Sequence, residues 1–243
     1  MKIRYSVLVL LIFFLGLTLM VPMRAVSSYL NGIEDVAVES SNGKWWSGNL
    51  NNIYIGSNSI GDARLSLNFS DLLLGRLEFQ VLISSEEINF KGNLGRSLFG
   101  ETSVKDATFE IDVIKAYNKG KSIPQAISML KGEINYLRFS SQECISAEGS
   151  ALAEVVDLLG IFRRNLSVIS KIQCKDQNLE IVFMSQEEGA LNGEIIITPE
   201  LNYQLEARSE NITSKIKELT KLRFNQTPSI KSSGSILDLI ENL

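Results

Sequence analysis

The stretch Leu77-Glu78-Phe79-Gln80-Val81-Leu82-Ile83 spaces Leu77, Phe79, Val81 and Ile83 two residues apart, with Glu78 and Gln80 between them. Successive side chains on a strand point to opposite faces, so this spacing gives one apolar and one polar face. The same grammar extends outward. Upstream, Ala63, Leu65, Leu67 and Phe69 alternate with Arg64, Ser66 and Asn68. Downstream come Ile88, Phe90 and Leu94, then Phe109, Ile111 and Val113, then Leu179, Ile181 and Phe183, then Ile195 and Ile197, then Tyr203, Leu205 and Ala207. Strands of this kind form an antiparallel sheet with one face packed and the other wet. The expected body is mainly β, a curved antiparallel sheet with one to three short helices.

Turn and helix signals punctuate this pattern. Asn42-Gly43 lies between apolar-containing runs and predicts a type I′ hairpin turn there. Pro124–Leu130 predicts a short helix with Pro124 in its first turn. Asn211–Leu222 predicts a second, with Ile212, Ile216, Leu219 and Leu222 near one face. Ala151–Leu159 suits either helix or strand. The Ser-rich tail from Gln226 is expected to be loose. A weak repeat reads apolar-x-Gly-x-apolar around Gly48, Gly75, Gly132 and Gly193. Glycine at those places suits a tight strand entry or a bulge.

The first segment sets the compartment. Tyr5 to Met23 carries no charge, and a 19-residue helix spans about 28 Å, close to the roughly 30 Å of a bilayer's hydrocarbon core. Lys2 and Arg4 precede it, which keeps the N-terminus cytoplasmic and puts the bulk of the chain on the other side of the membrane. A cleaved signal peptide would need a shorter apolar run and a small-x-small site, and Met23-Arg24-Ala25 is a poor one. The expected organisation is an anchor over 1–24, a juxtamembrane linker over 25–35, a β-rich domain over 36–225 and a tail over 226–243.

Composition narrows the chemistry. The chain has 243 residues, 44% hydrophobic and 21% charged, with two cysteines and no histidine. The missing histidine excludes His-dependent nucleophiles and His-ligated metals. The net charge is −4. Setting aside Lys2, Arg4 and Arg24 from the 24 basic residues leaves 21 against 28 acidic ones, a net of −7. Such a domain binds no nucleic acid, and anionic lipid would repel it if it lay flat on the bilayer. Glu86-Glu87 and Glu187-Glu188 are adjacent pairs, which point to opposite strand faces and do not converge on one substrate.

Two groups of residues stand out as candidate sites. Cys144 and Cys174, outside the membrane by the topology above, are expected to pair as a structural disulfide. Closing their loop of about 31 residues would stabilise the fold by roughly 3.5 kcal/mol in the entropic account. Trp45-Trp46 has two readings: a partner-binding hot spot or membrane belt, or one ring in the core and the other capping an edge.

The ordered set of motifs resembles the type II secretion system protein N family of Gram-negative bacteria. Gly43-Lys44-Trp45-Trp46-Ser47-Gly48 resembles that family's Gly-x-x-Trp-x-Gly element after the anchor, and Leu72-Leu73-Leu74-Gly75-Arg76-Leu77 its Leu-Leu-x-Gly-x-Leu step. Leu130-Lys131-Gly132-Glu133-Ile134, Cys144 with Gly149, Cys174 with Leu179, and Leu191-Asn192-Gly193 with Tyr203 are similar to its later elements. The resemblance implies a non-enzymatic, inner-membrane-anchored accessory component of a machine that exports folded periplasmic proteins. Its implied partners are other inner-membrane and periplasmic components of that machine, with no cofactor. The competing reading is an anchored periplasmic sheet that binds or transfers lipid. A carboxylate enzyme has no support in the sequence, and a pseudopilin would need an early glutamate that Tyr5–Met23 lacks.

Overall fold

Almost every alternating stretch lies in a strand of one antiparallel sheet. The computed structural model describes residue 16 and residues 19–33, 35–56, 58–113, 127–155, 166–186, 191–209 and 229–235. Within them the strands are β1 (Val36–Lys44), β2 (Ser47–Ile55), β3 (Asn58–Leu67), β4 (Arg76–Ser84), β5 (Ile88–Ser97) and β6 (Thr102–Asp112). There follow β7 (Ile127–Phe139), β8 (Cys144–Val155), β9 (Leu166–Lys175), β10 (Asn178–Ser185), β11 (Asn192–Ile197), β12 (Asn202–Arg208) and β13 (Ser229–Ser235). Their order in the sheet follows their order in the chain, so each strand pairs with its sequence neighbours. Two short helices accompany them, α1 (Met23–Leu30) and α2 (Phe69–Leu73). Among the described residues no helix is long and apolar enough to cross a membrane. Most of the charge-free run Tyr5–Met23 lies outside the described residues.

The register aligns the apolar positions into continuous rows. Ala63 faces Ile83, Ile83 faces Phe90, Phe90 faces Phe109, and Phe109 faces Gly132. A parallel row runs from Ile172 through Ile181 and Ile195 to Leu205. Paired residues share a face, so the period of two becomes one apolar side of the whole sheet. Bulges or register shifts interrupt the pairing between Leu50 and Tyr54, between Lys91 and Asn93, and along β7 between Ile127 and Met129, around Asn135 and between Arg138 and Phe139. Asn52 and Asp106 take positive φ at the first two, a conformation that Asn and Asp tolerate better than most side chains.

Helix α1 closes the first end of this apolar side. Met23 is fully buried against Val38, Leu50 and Ala63, with Val26 and Leu30 beside it. Positions 23, 26, 27 and 30 fall on one helical face, which explains the docking. Burying the Met23 side chain contributes about 2 kcal/mol. Thus the last residue of the charge-free run belongs to the sheet's core, and residues 25–35, expected as a linker, include most of α1. At its C-terminus, Asn31 accepts from the Val38 backbone N–H at 2.6 Å and donates to the Val38 carbonyl at 3.3 Å. One side chain thereby occupies the outer edge of β1, which would otherwise offer unpaired backbone groups.

Four local expectations are corrected. The turn of the first hairpin is Trp45-Trp46, with Lys44 facing Ser47, and Asn42-Gly43 sits inside β1 facing Asn49 and Gly48. Contacts from the preceding segment, described below, hold the turn there and override the local Asn-Gly preference. Phe69 opens α2 instead of continuing β3, because Asn68 caps the helix by accepting from the Ser70 backbone N–H at 3.3 Å. Ile127–Leu130 lies in β7, so a helix over Pro124–Leu130 does not hold for its described part. Ser229–Ser235, expected to be loose, forms β13 against β12. Ala151–Val155 resolves as strand β8. The helix expected over Asn211–Leu222 lies outside the described residues.

The glycine repeat has a packing cause. Gly132 pairs regularly with Phe109 and Ala151, with no bulge at that point. A Cβ there would strike the Phe109 ring and lie 2.7 Å from the Ser150 carbonyl oxygen. Gly193 likewise lies under Phe183, whose Cζ is 2.6 Å from a built Cβ, and Gly48 lies under Met23 Cγ at 3.0 Å. Each of the three leaves a gap that a bulky neighbour fills. Only Gly75, with φ +75° after α2, serves a turn.

Candidate functional site

The residues that converge most closely lie at the sheet end where the chain enters. Trp45 and Trp46 form the β1–β2 turn, and both are half-buried. The Trp46 indole N–H donates to the Leu19 carbonyl at 3.0 Å, and the Trp45 backbone N–H donates to the Val21 carbonyl at 3.2 Å. Pro22 bridges to Lys44, and the Leu67 N–H donates to the Trp46 carbonyl at 2.8 Å. The rings face different neighbours. Trp45 meets Phe79 edge-on at 6.2 Å, and Trp46 meets Phe69 of α2 at 5.8 Å. The Lys44 ammonium lies 5.5 Å from the Trp46 ring centroid, within cation–π range. The pair therefore clamps residues 19–22 to the first hairpin. Its sequence signal was the aromatic pair itself; the segment it holds had no signal beyond lack of charge.

The two cysteines form a disulfide between the start of β8 and the end of β9, with Cα atoms 5.6 Å apart. The Cys144 N–H donates to the Gln177 carbonyl at 2.7 Å, so the bridge also fastens the β9–β10 turn. It lies at the same end of the strands as Trp45-Trp46, several strands away in the sheet order. The bond is a cross-link between neighbours in the sheet.

Two buried carboxylates escaped the sequence reading because each occupies an ordinary polar position of the alternation. Glu78 on β4 is 5% exposed and pairs with the Lys105 ammonium at 2.6 Å. Glu180 on β10 is 3% exposed and accepts from Gln173 Nε2 at 2.6 Å and from Lys175 Nζ at 2.7 Å. The Lys175 and Gln173 donors hold the Glu180 carboxyl below its ordinary range, against the opposing effect of burial. Both carboxylates are satisfied ion pairs. Glu86 and Glu87 occupy the β4–β5 turn, where the Ser85 hydroxyl accepts the Glu87 and Ile88 N–H groups. Glu187-Glu188 lies outside the described residues. An open groove of about 650 Å³ over β2–β6 is lined by Asn49, Asn51, Arg64, Lys91 and Glu110, among others. Among the described residues no three His, Cys, Asp or Glu side chains are placed to hold a metal ion.

What the arrangement can do is hold surfaces in place: a clamped entry segment, a cross-linked sheet and a last described strand, β13. Among the described residues β13 has no strand on its outer side. The chain matches no curated protein and no solved structure. A family model does match it, that of type II secretion system (T2SS) protein N, over residues 34–222. The match covers the sheet from before β1 to beyond β12, including the Trp45-Trp46 turn and both cysteines. Members of that family are structural secretion components, and a disulfide fits an envelope location. This sheet protein therefore belongs to the type II secretion system protein N family and is a component of the type II secretion machinery.

Proposed function

We propose that the protein is an inner-membrane-anchored accessory component of that machinery, with its sheet in the periplasm, and that it acts by docking other machine components. The observation that carries this reading is the asymmetry of the sheet's two edges. The β1 edge is engaged at Val38 by the Asn31 side chain and at Lys44 by Pro22, whereas among the described residues no strand pairs with the outer side of β13. An open edge of this kind accepts a strand from a partner, with backbone hydrogen bonds supplying affinity. Lys231, on β13 and exposed, keeps the edge from pairing indiscriminately. Periplasmic placement draws on the Lys2 and Arg4 flank and on the disulfide. The test is a photo-crosslinking residue at Ser233 in cells that carry the whole secretion system. The expected product is an adduct with another type II secretion component; labelling no stronger than from Asn51, on the groove side of β2, would refute the edge as the docking surface.

A second reading, binding or transfer of lipid, draws on a different observation. Ile181, Phe183, Ile195, Ile197 and Leu205 share the apolar side and are only half-buried. Stoichiometric lipid in the native mass spectrum of gently extracted protein would favour it, and a lipid-free spectrum would remove it.

A further inference from the structure

The turns at one end of the sheet differ in character along its length. Next to the entry segment, two successive connections at this end carry exposed apolar side chains. Exposed Met20 lies within the clamped segment, Phe69, Leu72 and Leu74 lie in and after α2, and Leu98 and Phe99 form the β5–β6 turn. Leu74, Leu98 and Phe99 are 75%, 84% and 95% exposed. The patch is continuous, since Trp46 meets Phe69 and Leu98 packs 3.3 Å from a Cβ built on Gly75. It is also ordered. The Leu98 N–H donates to the Gly75 carbonyl at 3.2 Å, and the Ser97 hydroxyl accepts the Phe99 and Glu101 N–H groups at 3.2 Å. At the same end, the turns farther along carry Ser141, Gln142 and Glu143, then Asp176 and Gln177, then Pro199 and Glu200, with Leu201 the one large apolar residue in them. An ordered apolar patch on an otherwise polar rim marks a contact surface.

We infer that this tip, Phe69, Leu72, Leu74, Leu98 and Phe99, rests in the headgroup layer of the bilayer leaflet from which the chain emerges. The inference builds on the anchored reading above. Length argues for it. The Leu19 and Val21 carbonyls are already bonded to the hairpin. Only the 14 uncharged residues Tyr5 to Thr18 precede them, and as a helix these reach about 21 Å, short of the roughly 30 Å hydrocarbon core. The clamp therefore draws the domain against the membrane surface. Charge argues the same way. Lys44, Arg76 and Arg96 are exposed around the tip, Asp71 beside them is half-buried, and Glu101 is paired to Arg138 at 2.7 Å. That local balance suits anionic headgroups although the whole domain is acidic. The membrane contact is end-on, through one corner of the sheet.

The test uses the full chain with its disulfide intact. Cysteine is placed singly by Phe99→Cys, Leu74→Cys or Ser141→Cys and labelled with an environment-sensitive fluorophore. The protein is then reconstituted in phosphatidylethanolamine–phosphatidylglycerol vesicles. Lipids spin-labelled near the headgroup should quench positions 99 and 74 at least about threefold more than position 141. Equal quenching, with equal access of iodide, overturns the inference. Alkaline carbonate separates the two readings. A chain that stays in the membrane with an iodide-accessible position 99 sinks the tip contact alone, while a chain that is extracted sinks the anchor and the contact together. Shielding of position 99 that arises only when solubilised secretion proteins are added assigns the patch to a protein and also overturns the inference.

Discussion

Trp46 joins the entry segment to the sheet through one polar group. Trp46→Phe keeps the ring against Phe69 and removes the indole N–H from the Leu19 carbonyl. The loss should be about 1 kcal/mol, and tryptic cleavage after the exposed Arg24 should quicken roughly fivefold. An unchanged cleavage rate would mean that the clamp does not hold the segment. Glu180 allows a pH prediction. Its carboxyl titrates below the ordinary 4.5 when folded, so the ionised group stabilises the fold above that value. The contribution is lost as pH falls through the lower folded value. Glu180→Gln should weaken the fold at neutral pH by about 2 kcal/mol, and the mutant's thermal midpoint should fall less than the wild type's on acidification below pH about 4.5. Parallel acid limbs for the two proteins would contradict this role.

Among the elements, glycine placement makes the sharpest claim. Gly132→Ala drives a Cβ into the Phe109 ring and towards the Ser150 carbonyl oxygen, so β7 and β8 must part slightly. A cost of about 1–3 kcal/mol is expected in chemical unfolding, whereas alanine at the open Gly100 position, where no atom lies near but φ is +87°, should show only local strain of about 1 kcal/mol. A neutral Gly132→Ala would return the repeat to chance. These elements also show what could be read beforehand. The strands were legible because burial on one face demands a period of two, as in Leu77 to Ile83. The glycine motif was visible, but its reason was not, since the side chain that fills each gap comes from another strand or from α1. Asn42-Gly43 misled because the turn is decided by bonds from Leu19 and Val21, far off in sequence. Helix α1 went unread because Met23 continued the uncharged run, and nothing local distinguishes a residue for lipid from one for a sheet. Phe69 matched the alternation by chance of spacing, and the Asn68 cap took precedence.

At the scale of the whole molecule, the described strands form a long meander in which each pairs only with its sequence neighbours. The candidate cysteines were legible because the chain has only two, and their disulfide joins the start of β8 to the end of β9, neighbouring strands of the sheet. The disulfide gives a test of location: in intact cells Cys144 and Cys174 should resist thiol reagents until a reductant is added. Their removal by Cys144→Ser with Cys174→Ser should lower stability by about 3.5 kcal/mol. Thiols reactive without reductant would place the sheet in a reducing compartment. The two buried carboxylates and the corner of exposed apolar turns were not legible, because burial and contiguity arise only once thirteen strands are in register. The most direct test of the account is to extract the tagged full chain from native membranes in mild detergent and quantify what accompanies it. The account predicts inner-membrane type II secretion proteins in near-stoichiometric amounts, reduced when the β13 edge is blocked by Ser233→Pro. Recovery of the chain alone, or of those proteins no more than with an unrelated single-pass protein, would contradict it.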